Sequence, residues 1–248
     1  SAYVKDLRSR LGEDRVVLLD NGDMLQGQPP VYFYNFIETG VTHPVARMLK
    51  RMGYDAQTIG NHDIETGHPV YDRYRDDLSP IPLLGANVKD TATGEPYFRP
   101  YTIIERDGVR FAVLGLLTPA IPAWLPEELW SGMEVTDMVE SARRWVEHIR
   151  RHERPDMVIG LFHSGYESTH LTGKWLENAS GLVAREVEGI DLIFMGHDHL
   201  RAVRRESTGI LLLNPGAHAR LVAEATVTAD VAPDGRVAIL DVEGDLVQ

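Results

Sequence analysis

The chain has 248 residues, of which 43% are hydrophobic, and a formal net charge of −12 at pH 7. This length and apolar content suffice for one domain with a sizeable core. The negative charge argues against non-specific binding of a nucleic-acid polymer, which needs a basic surface. No apolar run is long enough for a membrane span, and the absence of Cys excludes disulfides.

Strands and helices alternate along the first half of the chain. Helical spacing predicts a helix over residues 3–11, and Pro44 begins a second predicted helix that ends at Met52. Short runs rich in Val, Ile and Leu predict buried strands over residues 16–20, 56–60 and 82–88.

The same alternation continues in the second half. The turn sequence Arg106-Asp107-Gly108 separates two apolar runs and predicts a β-hairpin of residues 101–105 and 109–117. Apolar residues at helical spacing predict a helix over residues 137–151. A strand over 157–163, a helix over 178–187, a strand over 191–196 and a strand-rich tail from 201 follow. The pattern indicates an α/β protein without internal repeats or linkers.

Four of the apolar runs stop abruptly at a polar cluster. These clusters are Asn21-Gly22-Asp23, Gly60-Asn61-His62-Asp63, His163-Ser164-Gly165 and Gly196-His197-Asp198-His199. Each cluster alone is compatible with an ordinary turn, in which Gly supplies a positive φ and Asp caps backbone amides. Turn chemistry does not select His repeatedly, however, whereas a metal site does. Because the carboxyl ends of parallel strands meet at one crevice, the set predicts a metal site.

In their order and spacing, the four clusters resemble the motifs of the calcineurin-like metallophosphoesterases. The flanking sequences around Asp20–Gly27 and Gly60–Gly67, together with Leu116-Leu117-Thr118-Pro119, are similar to the branch of 5′-nucleotidases and 2′,3′-cyclic-nucleotide 2′-phosphodiesterases. The resemblance implies a four-layer α/β/β/α sandwich, in which two mixed sheets face each other and helices lie outside. It also implies that residues 1–248 form a single catalytic domain, without the C-terminal nucleotide-clamp domain of many relatives.

The resemblance implies a site for two divalent metal ions. Asp23 would bridge both ions, Asn61, His163 and His197 would complete the ligands of the second ion, and His199 would bind the first. Since the donors are oxygen and nitrogen only, Zn²⁺, Mn²⁺, Co²⁺ or Fe suits the site, and the sequence does not decide among them. The family's first strand, which ends in D-x-H, has no counterpart in the sequence, so the first ion is expected to keep fewer protein ligands.

Catalytic roles are also implied by the resemblance. His62, next to the ligand Asn61, corresponds to the family's acid or transition-state stabiliser, and Glu65 would orient it, although a solvated helix-start residue is an equal alternative. Asn61, His62 and His218 are expected to contact substrate, with a surface position as the alternative for His218. Trp124 and Trp130 could form an apolar lip or pack a loop. His43, His148, His152 and His170 lie in no motif and are expected to be solvated.

The expected function is metal-dependent hydrolysis of phosphate esters, with small nucleotides or cyclic nucleotides as substrates. Two alternatives stay open: a phosphodiesterase acting on another small ester, and a catalytically silent domain that binds one metal ion. The resemblance further implies a periplasmic or extracellular location, although the sequence shows no signal peptide. The sequence does not indicate an oligomeric state.

Overall fold

The computed structural model describes residues 2–248, in which strands and helices alternate. The strands are β1 Leu19–Asp20, β2 Ala56–Thr58, β3 Leu83–Leu84, β4 Val88–Asp90, β5 Tyr101–Arg106, β6 Val109–Leu117, β7 Met133–Val135, β8 Met157–His163, β9 Leu171–Thr172, β10 Trp175–Leu176, β11 Leu192–Met195, β12 Arg201–Arg205, β13 Leu211–Pro215, β14 Val222–Val231 and β15 Val237–Val247. The α-helices are α1 Ala2–Leu11, α2 Pro29–Phe36, α3 Pro44–Met52, α4 Asn61–Ile64, α5 His68–Leu78, α6 Ile121–Trp124, α7 Met138–His152 and α8 Ser180–Glu186, and short 3₁₀ turns cover Glu13–Arg15 and Glu127–Leu129.

A six-stranded mixed sheet runs in the order β12-β13-β11-β8-β6-β5. Its four central strands are parallel, and β12 and β5 pair antiparallel at the two edges. Strand β8 is buried along its whole length, as expected for a parallel strand covered on both faces.

A second layer faces this sheet and consists of the parallel sheet β1-β2-β3 and the long hairpin β14–β15. The two layers share an apolar core, to which all three sheets contribute. Its members include Ala56, Leu84, Val113, Ile159, Leu161 and Leu213, with Ala225 and Val227 of the hairpin packed against them.

Helices cover the outer faces of both layers. Helices α7 and α8 bury residues such as Ala142, Val146 and Val183 against the six-stranded sheet. Helices α3 and α5 bury Leu49 and Tyr74, among others, against the three-stranded sheet. The order is therefore helices, sheet, sheet, helices, and the predicted α/β fold class is confirmed. Within residues 2–248, none of the helices has the length and hydropathy that a membrane crossing would require.

Element boundaries differ from the prediction where side-chain or loop contacts replace the ladder. The predicted strand 82–88 is two strands, because the chain turns at Gly85 and β4 pairs with β7 instead of β2. The strand predicted from residue 16 is paired only at Leu19–Asp20, since the Leu18 amide donates to the Asp55 carboxylate. Helices α2 and α5 lie in segments for which the pattern predicts no element.

Candidate metal centre

Two backbone turns meet at the carboxyl ends of β1 and β2. An added Cβ on Gly22 would lie 2.7 Å from both the Gly60 nitrogen and the Thr58 carbonyl oxygen, and one on Gly60 would lie 2.2 Å from Asp23 Oδ1. Gly22 also has a φ of +87°, which favours glycine. The turns that carry Asp23 and Asn61 therefore pack backbone against backbone, which brings these two side chains together.

Asp63 ties the two turns to each other. Its buried carboxylate accepts hydrogen bonds of 2.8–2.9 Å from the amides of Asp23, Met24, Leu25 and Gly60. Burial raises the pKa of Asp63 to about 6, while the four amide donors favour its charged form. The sequence interpretation gives Asp63 no role, although its place three residues after Gly60 is a helix-capping signal.

Four donor atoms from four strand ends converge. His163 Nε2 lies 3.1 Å from Asp23 Oδ2 and 3.1 Å from Asn61 Oδ1. His197 Nδ1 lies 2.9 Å from the same Asn61 oxygen. In the part of the chain that the structure describes, His, Asp and Glu side chains alone form no metal-binding group of three or more, and the amide of Asn61 is what joins the two imidazoles.

Hydrogen bonds on the far side of each ring fix the tautomers of the two imidazoles. His163 Nδ1 donates to the Asn21 carbonyl at 2.5 Å, and His197 Nε2 donates to Glu177 Oε1 at 2.9 Å. The other nitrogen of each ring therefore directs a lone pair towards the oxygens of Asp23 and Asn61. Histidine ligands of metals are held in this way, with the remote N–H given to a carboxylate or carbonyl. When both imidazoles are neutral, four acceptor atoms therefore face one another, and such a set fits a cation.

The pKa values in this cluster reflect its charges. Burial alone would raise the pKa of Asp23, but attraction to His163 lowers it below its usual value. Burial opposes a charge on His163, yet the contact with Asp23 raises the pKa of that imidazole. Burial, followed by the proximity of His163, lowers the pKa of His197. The centre thus favours an ionised carboxylate together with a positive charge next to it.

His62 and Glu65 lie beside the four donors. The His62 Nδ1–H donates to Glu65 Oε2 at 2.6 Å, and the same oxygen accepts from Gln26 Nε2 at 2.6 Å. The side chains of His62 and Glu65 are 41% and 40% exposed. The backbone amide of His62 donates to Asp23 Oδ1, which links the pair to the centre.

A cavity of about 290 Å³ adjoins the centre. It is lined by Asn61, His62, Glu65, Trp124, Leu125 and His197. The indole of Trp124 stacks on the His197 imidazole, with ring centroids 5.5 Å apart and an interplanar angle of 29°. A larger open groove of about 470 Å³ lies elsewhere, among charged residues that include Arg8, Lys50 and Asp107, and contains none of the predicted site residues.

His199 and His218 form a separate pair of exposed side chains, with ring centroids 5.8 Å apart. Among residues 2–248, no hydrogen bond joins either imidazole to Asp23 or His62. Their predicted roles as metal ligand and substrate contact stay predictions. Both residues have a positive φ, 59° and 64°, as do Asp23 and His197. Such conformations are uncommon outside glycine and cluster at functional sites.

Two further residues contact the centre: Glu177, for which the sequence predicts no role, and Trp124, for which an apolar lip is one of the two predicted alternatives. Glu177 orients His197, and Trp124 covers one face of the same imidazole. The sequence offers little signal for the contact between Glu177 and His197, because Glu177 lies in an irregular segment.

Comparisons with known proteins match this chain to one family. A family model for calcineurin-like phosphoesterases matches residues 1–201. The 2′,3′-cyclic-nucleotide 2′-phosphodiesterase/3′-nucleotidase of Yersinia enterocolitica is 32% identical over 196 residues, which are 74% of this chain and 29% of the relative. The 5′-nucleotidase of Vibrio cholerae is 30% identical over 186 residues, 73% of this chain and 32% of the relative. The chain thus spans about a third or less of the length of these relatives.

Solved structures show the same fold. The calcineurin-like phosphoesterase YfkN from Bacillus subtilis superimposes with a TM-score of 0.83 at 27% identity, over 99% of this chain and 80% of that chain. A 5′-nucleotidase precursor from Thermus thermophilus superimposes with a TM-score of 0.74 at 21% identity, over 98% of this chain and 47% of that chain. The second likeness concerns the fold alone.

Proposed function

Because the chain belongs to the calcineurin-like phosphoesterase family, we propose that it is a metal-dependent hydrolase of phosphate esters, with nucleotides or cyclic nucleotides as substrates. This substrate class is supported by the similarity to a 2′,3′-cyclic-nucleotide 2′-phosphodiesterase/3′-nucleotidase and to a 5′-nucleotidase. The observation that carries the proposal is the convergence of Asp23, Asn61, His163 and His197, whose oxygen and nitrogen atoms make contacts of 2.9–3.1 Å.

The residues divide between two proposed metal positions. Asp23, Asn61, His163 and His197 would hold one divalent ion, and His199 would contribute with Asp23 to the second. When bound, such ions supply Lewis acidity towards phosphoryl oxygens and water. The donors are oxygens and imidazole nitrogens, which suit Zn²⁺, Mn²⁺, Co²⁺ or Fe.

His62 is proposed to hold the proton that the leaving oxygen needs. Its Nδ1–H donates to Glu65, so that Nε2 is the ring atom directed to substrate. The carboxylate fixes the orientation of the imidazole, and Gln26 holds the carboxylate in turn. As an imidazolium, His62 donates Nε2–H to the departing alkoxide.

The proposal is tested by measuring the hydrolysis of phosphate esters before and after metal is returned to the metal-stripped chain. After chelation, the protein is reloaded with Mn²⁺ or Zn²⁺ and is assayed on adenosine 5′-monophosphate, 2′,3′-cyclic adenosine monophosphate and bis(p-nitrophenyl) phosphate. Hydrolysis that depends on metal, is lost in His163→Ala and is kept in His148→Ala is expected, since His148 is exposed on α7. Metal-loaded protein that hydrolyses none of the three esters would overturn the proposal.

A small substrate fits the cavity beside the centre, and the negative net charge disfavours a nucleic-acid polymer. The periplasmic or extracellular location expected from the resemblance stays a prediction.

A further inference from the structure

Trp124 forms an apolar wall of the cavity next to the metal centre. The cavity's other lining side chains, apart from Leu125, are polar: Asn61, His62, Glu65 and His197. One face of the indole covers the His197 imidazole, yet Trp124 keeps 38% of its surface exposed. The indole is therefore available to contact a molecule in the cavity.

The position of Trp124 is fixed by its neighbours. Ile121, at the start of α6, is fully buried, and the Leu125 amide donates to the Ile121 carbonyl at 3.0 Å. The Trp130 indole N–H donates to the Leu125 carbonyl at 3.1 Å. The buried Ile121 before Trp124, and the hydrogen bond to the Leu125 carbonyl after it, therefore fix the backbone on both sides of Trp124.

The loop that leads to α6 is also tied to the metal centre. The Thr118 amide donates to the carbonyl of the predicted ligand His163, and the Thr118 hydroxyl donates to the carbonyl of Glu177. Glu177 in turn accepts from His197. The distance between the indole and the four donor atoms is thus set by the fold, and the indole can serve as a preorganised surface.

The flat apolar face of the Trp124 indole determines which part of a phosphate ester it can bind. A phosphoryl group held at the metal centre would leave the rest of the ester in the adjoining cavity, beside the indole. An indole binds flat aromatic rings by stacking, and such stacking tolerates any base, since every base has a π-face. Sugar hydroxyls gain far less from this surface than an aromatic ring does.

We infer that Trp124 is a specificity-determining residue that stacks with the base of a nucleoside phosphate, so that the site prefers nucleotides to phosphate esters without an aromatic group. This inference rests on the proposed function. It adds a base-contacting surface within the catalytic domain itself, next to His197.

The test compares two monoesters that differ only in the base, adenosine 5′-monophosphate and ribose 5-phosphate, on the metal-loaded chain. Trp124→Ala is expected to raise KM for the nucleotide by about 5- to 100-fold. KM for ribose 5-phosphate should rise far less, so that the preference for the nucleotide is lost. Trp124→Phe, which keeps an aromatic face, should retain most of the preference. Tyr32→Ala, which removes an exposed aromatic side chain that does not line the cavity, is the matched control.

A different pattern would overturn the inference. If Trp124→Ala lowers kcat equally for both esters, the indole only positions His197. If the unsubstituted chain shows no preference for the nucleotide, no base-stacking surface exists. The metal content of each variant is measured, so that loss of metal is not taken for loss of stacking.

Equilibrium binding separates this inference from the proposed function. If neither ester is hydrolysed, the proposed function fails, but the affinities of the two compounds for the metal-loaded chain still test Trp124. Tighter binding of the nucleotide that disappears in Trp124→Ala would support the stacking surface. Equal binding of both compounds would overturn it.

Discussion

The Nε2 atom of His163 lies 3.1 Å from the Oδ2 atom of Asp23, and the imidazole is only 3% exposed. Because the opposite ring nitrogen donates to the Asn21 carbonyl, the oxygens of Asp23 and Asn61 face the same lone pair of His163. Buried acceptors that face one another need a positive charge between them, either a proton or a metal ion. A metal ion bound here should therefore stabilise the folded state.

The first prediction concerns metal removal and stability. Free Mn²⁺ about 100-fold above its Kd should raise Tm by about 5–10 °C over the chelated protein, since binding to the folded state alone contributes about 2.7 kcal/mol. Calorimetric scans with chelator and with Mn²⁺ measure the shift. His148→Ala should keep the shift and His163→Ala should lose it. An equal shift in both variants would place the ion elsewhere.

The second prediction compares two predicted ligands. Asp23→Asn should weaken metal binding and hydrolysis more than His163→Ala, because Asp23 supplies charge and is expected to contact both ions. Metal stoichiometry and kcat/KM, measured side by side, decide the order. Equal or smaller damage at Asp23 would argue against a bridging carboxylate.

The third prediction concerns proton donation. His62→Ala should leave metal binding intact and lower kcat by roughly 10²–10⁴, the range for an acid–base group. Glu65→Gln should lower kcat by about 10- to 100-fold, because a neutral amide oxygen orients the ring by a weaker hydrogen bond than the carboxylate does. Full activity in metal-replete His62→Ala protein would remove this residue from the mechanism.

Much of this centre is predictable from strand ends. Asn61 and His163 each follow a run of β-type residues that stops at a polar turn, and a parallel arrangement directs such turns to one edge. Asp23 and Asn61 follow strands of the three-stranded sheet, however, while His163 ends a strand of the six-stranded sheet and His197 follows another. The two pairs of side chains come together only because the two sheets pack against each other. No local sequence pattern predicts that packing, whereas the family resemblance implies it.

The features that sequence reasoning missed have physical causes. Helix α2 begins with two prolines and leaves Tyr32 and Phe36 exposed, so its sequence lacks an amphipathic period. The sequence predicts a solvated His43, but the residue is only 1% exposed. Its ring accepts a hydrogen bond from the Val45 amide at the start of α3 and makes another with Asn35. Such contacts join segments that only the tertiary fold brings together.

The fourth prediction concerns Asp63, which joins the two turns of the centre. In Asp63→Asn, an NH₂ group would face two backbone N–H donors that now share one carboxylate oxygen, and this should lower the free energy of unfolding by about 2–5 kcal/mol. Asp90→Asn is the matched control, since Asp90 accepts two amides in an exposed turn. Urea unfolding measures both. A loss no greater than that of the control would show that Asp63 does not hold the turns.

The last prediction follows from the buried His43. Burial, with a contribution from Arg73, lowers the pKa of His43 from 6.5 to about 4. Between these two values the unfolded state binds the proton and the folded state does not, so stability is lost as the pH falls below 6.5. At pH 5 this loss is about 2 kcal/mol relative to neutral pH.

The His43→Gln variant isolates this contribution. The difference in unfolding free energy between pH 7.5 and pH 5 should be about 2 kcal/mol more destabilising in the unsubstituted chain than in His43→Gln, which has no group to protonate there. Asp20 and Asp63 act in the opposite direction, because burial raises the pKa of each to about 6 and the folded state then gains protons as the pH falls. Both carboxylates are present in the two proteins, so their effect cancels in the comparison. Parallel pH profiles for the two proteins would show that His43 is protonated equally well in the folded and unfolded states.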